Sequence, residues 1–153
     1  MISYLIDINV WLAMTWDRHP QHASAARWHD SLKDAGLLFC RFTMLGFLRL
    51  LTNEKVMGDS IATVAGALAL YDRWRQDSRV KLAMEPHRTE ALFRQALARF
   101  GRLPATKAIA DCYLVGFAEA AGAHLVTFDR GLAESARRRR LVVALLRPHP
   151  QVQ

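Results

Sequence analysis

Apolar positions along the chain follow two rhythms. Short continuous apolar runs, rich in Val, Ile, Leu and aromatic residues, alternate with longer stretches in which apolar residues recur every three or four positions. The short runs read as strands at Ser3–Ile8, Leu37–Cys40, Val80–Met84, His124–Thr127 and Leu141–Leu146. The longer stretches read as helices at Val10–Met14, Gln21–Lys33, Thr43–Thr52, Ser60–Gln76, Thr89–Phe100, Thr106–Ala121 and Leu132–Arg138. Thr43, Ser60 and Thr89 are placed as N-caps, and Gly122 as a C-terminal stop. Strands alternating with helices predict an α/β fold, with a mainly parallel sheet of roughly five strands covered by helices on both faces. Runs such as Tyr4-Leu5-Ile6, apolar without interruption, suit a sheet buried on both sides.

Composition changes this picture little. A chain of 153 residues that is 52% hydrophobic has enough material for one core without disulfides or structural metal. No linker or internal repeat divides it. A single domain is expected over 1–146, with a tail at 147–153. Cys40 and Cys112 stand alone in apolar segments, which reads as two buried reduced thiols and not as a zinc site. The start of the chain lacks a basic region and meets an acid at Asp7, so it does not read as a signal peptide. No apolar run reaches the ~18 residues needed to cross a bilayer. A cytoplasmic protein without a membrane partner is the expectation.

Charge adds more. The formal net charge is +7, from 21 Lys and Arg against 14 Asp and Glu. An excess of this sign favours a polyanionic partner, nucleic acid or an acidic protein.

Against that basic background three aspartates are placed to meet. In an open parallel sheet, ligands bind beyond the carboxyl ends of the strands. Asp7 follows the first strand, Asp129 follows the fourth, and Asp111 lies early in the helix that leads into the fourth strand. Asp111 shares a helix face with Ala108, Val115 and Ala118, so it points towards packed structure. Carboxylates converging there repel one another and titrate late unless a cation joins them. Mg²⁺ or Mn²⁺ prefers such oxygen ligands, lowers the pKa of a bound water and stabilises charge on a phosphate. Structural readings stand beside this one: Asp7 and Asp129 as helix N-caps, and Asp111 as the partner of Lys107 one turn before it.

The residues around these acids form a recognisable series. Leu5-Ile6-Asp7-Ile8-Asn9-Val10-Trp11-Leu12 resembles the first motif of PIN-domain ribonucleases, the VapC toxins of type II toxin–antitoxin systems. The segment from Cys40 to Asn53 resembles the second block of that family. Ala110-Asp111-Cys112-Tyr113-Leu114-Val115 resembles the third, and Ala123-His124-Leu125-Val126-Thr127-Phe128-Asp129-Arg130-Gly131-Leu132 the fourth. The resemblance implies a PIN-like three-layer α/β/α sandwich and a Mg²⁺- or Mn²⁺-dependent endoribonuclease cleaving structured RNA such as tRNA or rRNA. It implies neutralisation by a cognate VapB-like antitoxin, and commonly a homodimer. Carried over by position, Asp7, Asp111 and Asp129 are the catalytic, metal-binding acids, with Asn9, Thr43 and Thr127 supporting them. After Thr43 the family often places a Glu; here the residue is Met44, a poor ligand for a hard cation. That departure keeps open a non-catalytic PIN-like RNA-binding module. A receiver-like signalling domain fits less well, because no acidic pair follows the first strand.

Other features have blander readings. Arg137-Arg138-Arg139-Arg140 reads first as a solvated helix end and second as a phosphate contact. Arg41, Arg49, Lys107 and Arg130 lie nearer the acids, with Arg49 open to a structural ion pair. Trp28, Leu68, Tyr71 and Trp74 read as core, or else as a surface clip for a partner helix. His19, His22 and His29 read as a solvated helix surface.

Overall fold

The computed structural model describes residues 1–148, so residues 149–153 of the expected tail lie outside the described residues. Five strands form one all-parallel sheet in the order β3-β2-β1-β4-β5. They are β1 (Ile2–Ile6), β2 (Ala35–Phe39), β3 (Val80–Leu82), β4 (His124–Thr127) and β5 (Val143–Leu145). Among the described residues eight helices accompany them: α1 (Ile8–Thr15), α2 (His22–Asp30), α3 (Arg41–Leu51), α4 (Glu54–Met57), α5 (Val64–Arg75), α6 (Thr89–Leu97), α7 (Thr106–Ala121) and α8 (Arg130–Arg138). Two short 3₁₀ turns follow α4 and α6.

The pleat distributes the core. Ile6, Val126, Leu37, Phe39 and Val80 face one side, where they meet Val10, Trp11, Phe47 and Tyr71 of α1, α3 and α5. Leu5 and Leu125 face the other side and meet Cys112, Val115 and Phe117 of α7 and Leu132 of α8. Alternate residues of one strand thus feed two cores, as the uninterrupted apolar runs require. Trp11 lies flat on Phe39, with ring centroids 3.8 Å apart. On the opposite side α6 and α7 approach closely at Gly116, where an added Cβ would stand 2.5 Å from the Phe93 backbone nitrogen.

Several boundaries differ from the sequence reading, each for a local reason. β1 stops at Ile6 because Asp7 turns the chain and caps α1, its carboxylate accepting from the Ile8 N–H at 2.8 Å. β2 ends at Phe39, and Cys40, not Thr43, is the N-cap of α3. Thr43 sits inside the first turn and its Oγ1 accepts from the Cys40 N–H at 2.9 Å. Ser60 closes a 3₁₀ turn, and Thr63 caps α5 by accepting from the Gly66 N–H. Thr89 is the first residue of α6 and not its cap. The short α4, capped by Asn53, has no counterpart in the sequence reading, since one helical turn is too short to show a period. Gly122 does end α7, in the left-handed region at φ 63°.

The three histidines are fasteners more than a solvated surface. His22 Nδ1 lies 2.7 Å from the Ala13 carbonyl, and His29 Nε2 lies 3.0 Å from Arg79. His19 Nδ1 accepts from the Gln21 N–H. Trp28, Tyr71 and Trp74 pack on the core, whereas Leu68 is exposed. Of the arginine run, Arg138 pairs with Glu134 and Arg139 with Glu119, leaving Arg137 and Arg140 exposed. Both cysteines are buried and free. No helix among the described residues is long and apolar enough to cross a membrane.

Candidate active site

The strand order reverses direction beside β1. From β1 the chain builds outward through β2 and β3, then crosses back to lay β4 on the other flank. The carboxyl ends of β1 and β4 therefore border the crevice in which such sheets bind ligands. A pocket of about 410 Å³ opens there, and Asp7, Asp111 and Asp129 all line it.

Each acid arrives differently. Asp7 follows β1, and its backbone N–H still bonds the Val126 carbonyl, extending the ladder by one rung. Its Oδ1 accepts from the Ile8 N–H, and its Oδ2 accepts from the Thr127 hydroxyl at 2.8 Å. Thr127, fully buried, also receives the Asp129 N–H on Oγ1 at 2.9 Å, so one hydroxyl ties the ends of both strands together. Asp129 caps α8 through Oδ1, which accepts from the Leu132 N–H. Its Oδ2 is bonded by the Lys107 ammonium. Asp111, on the second turn of α7, is half-buried and has no hydrogen-bond partner among the described residues. The structural alternative for Asp111, an ion pair with Lys107, is not formed among the described residues, because Lys107 reaches across to Asp129 instead.

The electrostatics follow from this placement. Burial pushes Asp111 up to about 6; the Lys107 charge pulls against that, while Asp129 and Asp7 add repulsion. Burial also raises Asp7, outweighing its bonds to Thr127 and Ile8. Burial alone would raise Asp129 as well, but the Lys107 bond and the backbone N–H of Leu132 bring it below the usual range. Lys107 is itself held charged, first by its bond to Asp129 and then by the charges of Asp111 and Asp7. Two of the three acids resist ionising because the pocket buries them, and the Lys107 charge is engaged by Asp129. Among the described residues no three such side chains are drawn tightly enough to cage a metal as they stand. The donor set nevertheless suits a hard cation: carboxylates only, one of them unbonded, with an ammonium already drawn in.

The supporting residues divide. Thr127 joins two acids directly, and the exposed Asn9 lines the pocket. Thr43 is buried at the start of α3 and fastens Cys40, away from the pocket lining. Met44 corrects the sequence reading more sharply. It packs towards the core and takes a contact from Arg41 at 3.1 Å, so it does not line the pocket. The face of α3 towards the acids carries Phe42, Gly46, Arg49 and Leu50, at helical spacing. At Gly46 a Cβ would overlap Ile8 Cδ1, so Ile8 occupies the space a side chain there would need. The α3 residues that face the pocket, Phe42, Gly46, Arg49 and Leu50, include no acid, and Met44 lies on the core side of the helix. Arg49, open to a structural pair on sequence grounds, is exposed at the pocket edge and makes no ion pair among the described residues. A second cleft of about 350 Å³, bordered by Thr15 and Trp74, contains one carboxylate, Asp77, already gripped by Arg79 at 2.7 Å.

A family model described as PIN domain matches residues 4–138. The chain belongs to the PIN-domain family. It is 37% identical over 135 residues to ribonuclease VapC41 of Mycobacterium tuberculosis, covering 85% of this chain and 91% of that protein. Among solved structures it is similar to M. tuberculosis VapC20, a sarcin–ricin loop cleaving toxin, with a TM-score of 0.64 and 16% identity over 86% of this chain and 94% of that one. It also resembles a chain of Rickettsia felis VapBC2 bound to a DNA fragment from its promoter, with a TM-score of 0.63 and 13% identity over 95% and 100% of the two chains. At such identities the two structures speak for the fold, and the five-stranded parallel sheet of the PIN family is the one described above.

Proposed function

We propose that this protein is a cytoplasmic divalent-metal endoribonuclease of the VapC type that cuts structured RNA and is neutralised by a cognate antitoxin. The observation that carries the reading is the meeting of Asp7, Asp111 and Asp129 at the sheet's switch point, with Asp111 left unbonded and late to ionise. These three carboxylates would hold Mg²⁺ or Mn²⁺. Such an ion supplies a more acidic water and stabilises charge on the scissile phosphate. The chain's own groups set the rest. Thr127 and the Ile8 N–H fix the Asp7 carboxylate from both oxygens, so it presents one orientation to the pocket. Arg49, paired with no acid among the described residues, is available to a phosphate oxygen at the rim. Asn9 supports the same edge. The relative's designation as a ribonuclease favours RNA as the substrate, and the VapBC2 neighbour favours an antitoxin partner.

The test is cleavage of tRNA and rRNA by purified, partner-free protein with Mg²⁺ or Mn²⁺. Cutting that stops with excess chelator and with Asp111→Asn supports the reading. Cutting that persists in chelator overturns the metal mechanism, and RNA binding without cutting leaves a recognition module.

A further inference from the structure

The Lys107 ammonium already acts as a cation of the acidic pocket. It bonds Asp129 Oδ2, and its charge is felt at Asp111 and Asp7 as well. Asp129 Oδ1 accepts from the Leu132 N–H at 3.1 Å in capping α8, so Oδ2, which carries only the Lys107 bond, is the freer oxygen for an incoming ion. Metal and ammonium thus compete most directly at that atom. The Lys107 side chain is 68% exposed and rises from the first turn of α7, which makes its release into water inexpensive. Arg139 offers a contrast, since it is anchored by both of its Glu119 bonds and by Gln95.

We propose that Lys107 is a resident counter-ion of the pocket, which a divalent cation must displace from Asp129 before the site is loaded. The proposal rests on the reading of this pocket as a divalent-metal site. It explains how the metal-free fold tolerates three gathered carboxylates. It also makes metal affinity a difference between two cations competing for one oxygen. Once released, the ammonium stays within a helical turn of Asp111, at the pocket mouth, as a positive charge facing an RNA phosphate.

The experiment is calorimetric titration of Mn²⁺ into partner-free protein at neutral pH, comparing wild type with Lys107→Met, Lys107→Gln and Lys107→Arg. Removing a unit charge next to the ligand oxygen should tighten Mn²⁺ binding by about tenfold or more in the Met and Gln variants, given the strength of a close charge pair near a protein surface. The Arg variant should bind as wild type does. The metal-free Met and Gln variants should melt below wild type, and Mn²⁺ should raise their melting temperatures by more. Two neutral substitutions guard against a folding defect peculiar to one. Wild-type affinity, or weaker, in both neutral variants overturns the proposal while leaving the metal site intact. No Mn²⁺ binding by wild type or any variant overturns the metal reading and this proposal with it.

Discussion

Asp7 holds two positions at once, N-cap of α1 and candidate metal ligand, and two substitutions separate them. Asp7→Ala removes the acceptor for the Ile8 N–H and the acceptor for the Thr127 hydroxyl. Loss of an N-cap costs about 1 kcal/mol, and a hydrogen bond to a charged group contributes about 1.5–3 kcal/mol. Against this stands relief: the carboxylate titrates above its ordinary range because burial disfavours its charge, so deleting it removes an unfavourable term at neutral pH. The net expectation is a loss of about 1–3 kcal/mol, or about 3–8 °C in melting temperature for a chain of this size. Asp7→Asn keeps an oxygen for the Ile8 N–H and turns an amide towards Thr127 Oγ1, which has a lone pair to receive it. It should melt within about 1 kcal/mol of wild type. Both variants should lose Mn²⁺-dependent RNA cleavage. Thermal melts of metal-free protein and a cleavage assay on the same preparations decide the matter. Equal melting of the two variants would refute the capping argument, and full cleavage by Asp7→Asn would refute the role of its charge.

Three further outcomes follow from the same geometry. Asp7 and Asp111 both titrate above the ordinary carboxylate value of 3.8, so the metal-free fold keeps protons that the unfolded chain gives up. The Asp111 part is complete below the ordinary value and is lost as pH rises through about 6, and burial shifts Asp7 in the same direction; Mn²⁺ affinity should climb across that interval, and a flat profile between pH 5 and 8 would contradict this. Met44→Glu should leave Mn²⁺ affinity within about twofold of wild type, because residue 44 turns from the pocket, and should lower the melting temperature by burying part of a charge. Gly116→Ala should cost about 1–3 kcal/mol, measured by denaturant unfolding, since backbone and not a flexible side chain meets the new Cβ.

The strands and long helices were legible because burial on both sheet faces writes uninterrupted apolar runs into β1, β2 and β4, and a long amphipathic period into α7. Asp7, Asp111 and Asp129 were legible for a related reason: each interrupts an apolar context at a strand end or on an inward helix face. What the sequence did not disclose depends on direction through space. Lys107 is one turn from Asp111 and twenty-two residues from Asp129, yet it pairs with the distant acid. Residue 44 was read as facing the site when residue 46 does, an error of two positions that on a helix amounts to about 200° of rotation. Thr43, Ser60 and Thr89 had the composition of caps, but the turns that precede their helices decide which residue takes that place. The histidines gave no signal of being fasteners, since their partners at Ala13 and Arg79 lie in other elements.

The bond between Thr127 and Asp7 spans 120 residues of chain. In chain order β1 comes first and β2 soon after, while β4, the strand that completes the other flank of β1, is among the last elements. Without β4 there is no Thr127 to orient Asp7 and no Asp129 beside it. A fragment that ends before β4 lacks both, and on the proposed reading is expected to be without metal-dependent cleavage.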